Sequence, residues 1–171
     1  CMGFQPSTLT QFGQVSPTSS ADVMEELGEF LNVNDLILNG GTSVIGIEST
    51  IIDCTNPDPK ILRFGFISKE DIEAELGIVL ICHKDENKIK FSGSFDKHYA
   101  PRCQVLIGEI QIEGEGFLAL SEIETPAGML RLARPATVEE FARILYSTFR
   151  AADRNGHKAL VVSPPRGEGI A

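Results

Sequence analysis

No lysine or arginine occurs before Lys60. Over those first 59 residues Asp22, Glu25, Glu26, Glu29, Asp35, Glu48, Asp53 and Asp58 bring eight negative charges with no cation to offset them. The rest of the chain carries 15 basic and 16 acidic side chains, so nearly all of the net charge of −9 sits in the opening third. A like-charged stretch repels itself on compaction. It is expected to pack against something that supplies positive charge, and it is a poor holder of polyanions by itself. The same imbalance argues against a general nucleic-acid or membrane-surface binder.

With 171 residues, 42% of them hydrophobic, the chain can bury a core as one ordinary domain or two small ones. No apolar run approaches the roughly 20 residues a membrane helix needs, and no signal segment is recognised, so no membrane partner is expected. Cys1, Cys54, Cys82 and Cys103 form no CxxC pair, and His83, His98 and His157 stand apart. Zinc sites use short paired spacings, so the cysteines read as small buried thiols in a reducing cytoplasmic setting.

Two patterned stretches flank a patternless one. In the first, Ser16 to Gly28 reads as a short helix capped by Thr18 or Ser19 and closed by Gly28. Asp35 to Leu38 reads as a buried strand running into the Asn39-Gly40-Gly41 turn, and Val44 to Cys54 as strand interrupted at Glu48-Ser49-Thr50. Lys60 to Phe64 is a further strand, and Ser68 opens a helix to Leu76 with Asp71 at capping-box spacing. From about Ile78 to Arg102 no period is visible, which predicts a linker. Beyond it, Gln104 to Ile112, Phe117 to Leu120 and Met129 to Ala133 read as strands. A helix opened by the Thr137 capping box runs to Asn155-Gly156, and Lys158 to Ser163 is a buried strand. Strand, helix and strand at this spacing predict a small α/β unit.

Four features offer chemistry, each beside a plainer account. Ser16-Pro17-Thr18 at a helix start can hold an anion or simply cap the helix. Glu48-Ser49-Thr50 can present hydroxyls to a polar ligand or form a bulge. Arg63 at a strand end can reach a phosphate or carboxylate, or make a surface ion pair. His98-Tyr99-Ala100-Pro101 can strap a ligand or merely pack in the linker.

Taken in order, SPT, ILNGG, GIESTIID, ILRFG and KHYAP resemble the second half of the YrdC family of threonylcarbamoyl-AMP synthases. The likeness is closest to the long form, in which a catalytic domain is joined by a linker to a C-terminal α/β domain. The tail, from EEFARILYSTFRAADRNGHKALVV to PPRGEGIA, is similar to the end of that second domain.

The resemblance implies an α/β fold. Residues 1–78 are expected to be the second half of a twisted mixed-sheet catalytic domain, 79–103 a lid-like linker, and 104–171 a small, shortened Rossmann-like domain. It implies a nucleotidyltransferase that converts L-threonine, bicarbonate and ATP to threonylcarbamoyl-AMP and pyrophosphate, with magnesium on the phosphates and tRNA reached only through the pathway. Ser49 and Ser7 would contact threonine. Ser16, Thr18, Arg63 and Tyr99 would contact ATP. The family's Ser-Ala-Asn run before SPT is absent, Phe64 stands for a proline, and Asn39 for an aspartate. The preceding half, which in the family carries the Lys and Arg that grip the triphosphate, has no counterpart here. The expectation is an incomplete copy that is inactive, or nearly so, alone. The competing expectation is a non-catalytic nucleotide-binding or regulatory module that kept the fold.

Overall fold

A computed structural model describes residues 15–82, 100–108 and 111–167. It has a mixed α/β fold with three helices and two sheets. Helix α1 (Ser20–Leu27) starts where the Ser19 hydroxyl accepts a hydrogen bond from the Asp22 amide and the Asp22 carboxylate accepts one from the Ser19 amide. This reciprocal cap satisfies donors that a helix start otherwise leaves unpaired. A single 3-10 turn, Gly28–Phe30, follows it.

The first sheet contains β1 (Ile51–Asp53), β2 (Lys60–Arg63) and β3 (Ile81–Cys82) in that order. β1 and β2 are antiparallel with a bulge between Ile51 and Ile52, whereas β2 and β3 are parallel. Between β2 and β3 lies α2 (Lys69–Leu76), capped by Ser68 and closed by Gly77. β3 falls within the stretch expected to be linker, so sheet pairing extends to Cys82.

The second sheet is wholly parallel. Its order is β4 (Gln104–Ile107), β7 (Ala159–Val162), β5 (Gly116–Leu118), β6 (Leu130–Ala133). Helix α3 (Val138–Arg154), capped by Thr137, connects β6 to β7. All four residues of β7 are buried, as expected of a central strand covered on both faces. Leu160 and Val162 join Leu118, Phe141 and Ala152 on the α3 side, while Val161 joins Phe117, Ala119 and Met129 on the other. The period of two along the strand thus divides one apolar run between two cores.

Two strand expectations fail, and β4 ends at Ile107, with Gln111 and Ile112 of the expected strand outside it. Asp35 to Leu38 forms no strand, and Leu36 and Leu38 are each 79% exposed. A strand needs a neighbour for its ladder, and none of the described residues supplies one here. Instead the Asn32 amide bonds the Asp35 carboxylate at 2.9 Å and the Asn34 amide bonds Asn32 Oδ1 at 3.0 Å, closing a local turn. In Val44 to Cys54 only Ile51–Asp53 is strand. The main chain before it is bound elsewhere: Glu48 O accepts from the Phe66 amide at 2.9 Å, and Ser49 O accepts from Arg63.

From β6, Arg131 places its guanidinium 5.1 Å from the Phe117 ring centroid and donates to the carbonyls of Ala119, Leu120, Ile123 and Ala133. Replacing Arg131 by Met strands those acceptors, so we expect a loss of about 2–4 kcal/mol in chemical denaturation. Arg134→Met, at an exposed position, should change stability by less than about 0.5 kcal/mol.

Candidate functional site

Ser16 lies just before α1 and is completely buried. Its hydroxyl donates to Glu48 Oε1 at 2.8 Å, across 32 positions of sequence. Glu48 Oε2 in turn stands 3.5 Å from Arg63 Nη2. Arg63, at the end of β2, donates through Nε and Nη2 to Ser49 O at 3.1 and 2.8 Å, and through Nη2 to Ser49 Oγ at 3.1 Å. Three of the residues singled out in the sequence, Ser16, Ser49 and Arg63, therefore meet in one cluster, and Glu48 is the atom bridge between them. Because Ser49 Oγ accepts from a cation, its own proton can be directed at a ligand.

The backbone must come close for this to form. A Cβ built on Gly65 would lie 2.3 Å from Ser49 C and 2.4 Å from the Thr50 nitrogen. Glycine after Arg63-Phe64 is what lets the two main chains lie side by side.

Thr18 lies outside that cluster. Its amide and hydroxyl both donate to Asp22 Oδ2, at 2.9 and 3.0 Å, and the Ser19 amide donates to the same oxygen at 3.0 Å. The α1 start thus already holds an anion, the Asp22 carboxylate of its own first turn. The Thr18 carbonyl accepts from the Ser43 amide at 2.7 Å, which ties the following loop to this turn. Ser7 and Tyr99 lie outside the described residues.

The cations for the acidic helix α1 come from α3. Arg154 pairs with Asp22 and, at 2.7 Å, with Glu25. Arg150, buried, pairs with Glu26 and donates to the carbonyls of Val15 and Ser16, the latter at 3.3 Å. The expectation that the cation-free stretch packs against a positive surface holds, and that surface belongs to the same chain. Burial raises the Asp22 pKa while the bonds from Arg154 and Thr18 lower it, and the net result is below the ordinary carboxyl value. Arg154 is shifted upward by its bonds to Asp22 and Glu25. Sequence reasoning missed Glu48, Asp22 and Arg150 as parts of this arrangement. The available signals were an acid inside the apolar run VIGIESTIID and the cation-free segment itself.

Residues 67–171 match the family profile described as "Threonylcarbamoyl-AMP synthase, C-terminal domain". The chain belongs to the threonylcarbamoyl-AMP synthase family. Two curated members of the family illustrate the extent of the likeness. The threonylcarbamoyl-AMP synthase of Pyrococcus abyssi is 30% identical over 92% of this chain and 51% of its own length. That of Bacillus subtilis is 32% identical over 93% of this chain and 51% of its own. Among solved structures, that of P. abyssi Sua5 complexed with L-threonine superposes with a TM-score of 0.75 at 28% identity, covering 93% of this chain and 52% of that one. A P. abyssi Sua5 variant with an adjacent histidine and tyrosine changed to alanine gives 0.69 at 26% identity, covering 92% and 50%. The chain therefore spans about half the length of the family members it matches, and it aligns to their C-terminal half.

The depressed Asp22 pKa has a consequence for pH dependence. Its ionised form contributes stability that is complete above the ordinary value of 3.8 and is lost as pH falls below it through the lowered folded value. In thermal unfolding between about pH 5 and pH 2, Asp22→Asn should show a flatter acid decline than the unaltered chain. Parallel curves for the two would remove Asp22 as a source of the decline.

Proposed function

We propose that this chain forms the C-terminal half of a threonylcarbamoyl-AMP synthase. In that reaction the amine of L-threonine and bicarbonate give a carbamate with loss of water. The carbamate carboxylate attacks the α-phosphorus of ATP, the bond to the β-phosphate breaks, and pyrophosphate leaves. Threonylcarbamoyl-AMP then feeds threonylcarbamoyladenosine formation in tRNA, reached through the pathway and not by an acidic chain gripping RNA.

The observation that carries this reading is the Ser16–Glu48–Arg63–Ser49 cluster, because it gathers three separate motifs of the family into one place. The Ser49 hydroxyl, oriented by Arg63, would meet threonine, with Ser7 as a second contact. Ser16, Thr18 and Arg63 would stand on the ATP side: buried Ser16 acts there through Glu48, and Thr18 through the helix start that Asp22 fixes. Holding the amino acid beside the nucleotide replaces a three-body encounter by a positioned one. His98-Tyr99 is the only His-Tyr pair in this chain. An adjacent His and Tyr were changed in the P. abyssi variant, and Tyr99 would be the residue of this chain that closes on the nucleotide.

Among the described residues no three His, Cys, Asp or Glu side chains converge as a metal-holding group. A protein-ligated metal does not fit them, and magnesium would be carried by the phosphates of ATP. Cys54 and Cys103 are free thiols, which supports a cytoplasmic setting. Val33, Leu36, Leu38 and Val44 are exposed apolar side chains on residues 33–44. Such a patch is a surface to be covered, and the half of the family chain that precedes this one is the occupant we assign to it.

The test joins this chain to the N-terminal half of a curated family member and measures pyrophosphate release dependent on threonine and bicarbonate. We expect release from the joined protein, little from the chain alone, and a KM for threonine raised about tenfold or more by Ser49→Ala. No release from either protein would overturn the enzymatic reading. ATP binding by the joined protein without release would favour the non-catalytic module.

A further inference from the structure

Helix α3 makes contacts on two sides. One, with Phe141, Leu145, Phe149 and Ala152, lies on the second sheet. The other carries Arg143, Arg150 and Arg154, one heptad and then one turn apart, of which Arg150 is buried and the other two are exposed. That side meets α1 and the segment before Glu48. A Cβ built on Gly46 would lie 1.7 Å from Arg143 O, so the helix main chain rests directly on the loop before Glu48. Arg154 pairs with Asp22 and Glu25 at the rim, where it is half exposed. Arg150 sits inside, buried with Glu26.

We propose that Arg150 is a positioning residue for the candidate site: it transmits the seating of α3 to Ser16 and, through Ser16 and Glu48, to Arg63 and Ser49. The inference rests on the site reading above and adds to it a residue 134 positions away from Ser16 in sequence. The geometry supports it at each joint. The Arg150 guanidinium donates to two successive carbonyls, Val15 O and Ser16 O, and to the Glu26 carboxylate. With its carbonyl held on one side, Ser16 offers its hydroxyl to Glu48 on the other. Glu48 has one oxygen committed to Ser16 and the other facing Arg63, so turning Ser16 moves the carboxylate against which Arg63 is set. Arg63 then grips both the carbonyl and the hydroxyl of Ser49.

Only a planar fork with several fixed donors can span two carbonyls and a carboxylate at once; an ammonium can neutralise Glu26 but cannot hold both carbonyls in register. Arg150→Lys is therefore the informative change, since it keeps the charge opposite Glu26 and should fold. Arg154 does not substitute for it, because a half-exposed rim pair constrains little.

Two measurements test this. In hydrogen exchange on the full chain, Arg150→Lys should speed exchange about tenfold both at the Thr18 amide, which bonds Asp22, and at the Phe66 amide, which bonds Glu48 O. Leu145→Ala, which opens the α3–sheet core and leaves the Arg150 contacts intact, should not raise exchange at Phe66 selectively. Unchanged exchange at Phe66 in Arg150→Lys would overturn the proposal, with no reference to activity. In the joined protein, Arg150→Lys should raise the KM for threonine several-fold with kcat little changed, and Ser16→Ala added to it should bring no further rise. Additive effects of the two changes would also overturn it. If Ser49→Ala and Arg63→Ala leave that KM unchanged, the site reading fails instead, and the exchange result still decides whether Arg150 couples the segments.

Discussion

Arg150 and Glu26 form an ion pair that is almost entirely out of water, between a helix of the second sheet and the acidic helix α1. Taking two charges from water is costly, and the attraction between them returns that cost only when the remaining donors and acceptors are also met. Arg150 meets this demand through the Val15 and Ser16 carbonyls, although Glu26 Oε2 has no donor among the described residues. A contact of this kind adds little net stability compared with an apolar one, yet it is unforgiving of misplacement. That property suits a joint between α3 and α1. It permits one seating of α3 on α1, and the cluster of Ser16, Glu48, Arg63 and Ser49 inherits that seating.

The features legible in the sequence are those decided within a few residues. Ser19 with Asp22, Ser68 with Asp71 and Thr137 with Glu140 cap helices where the spacing predicts, because a cap satisfies amides of its own first turn. The buried character of β7 is equally local, since four consecutive apolar residues have few other places to go. Asp35 to Leu38 has the same apolar look and forms no strand. The difference lies in the neighbour: β7 has β4 on one side and β5 on the other, and Leu36 has none among the described residues. A strand is a property of a pair, and composition reports one member of it.

The site divides the same way. Ser16, Ser49 and Arg63 were reached through motif order, which carries information about a family's shared fold, and not through any spacing that would bring them together. Glu48, which joins them, was passed over because an acid beside Ser-Thr inside an apolar run reads equally well as a bulge. The glycine at position 65 has no visible meaning until the main chain of Ser49 and Thr50 is found against it. Arg150 sits in a helix whose apolar stripe explains its packing on the sheet, so its own burial against a second surface is hidden until that surface is known.

The charge imbalance has changed its meaning. As composition, eight acids without a cation called for an external positive surface. In the fold, Asp22, Glu25, Glu26 and Glu48 are met by Arg154, Arg150 and Arg63 of the same chain. Those arginines are consumed by the architecture: Arg150 and Arg154 hold α1 against α3, and Arg63 shares its charge between Glu48 and Ser49. A triphosphate brought to this site would compete with the carboxylates already paired there, and displacing them would loosen the very turn that places Ser16 and Thr18. Under the proposed function, the main neutralisation of the polyphosphate therefore falls to cations beyond Arg150 and Arg154. The acidic segment acts as the frame that sets hydroxyls and one arginine in place, and four of its acids are paired before the substrate arrives.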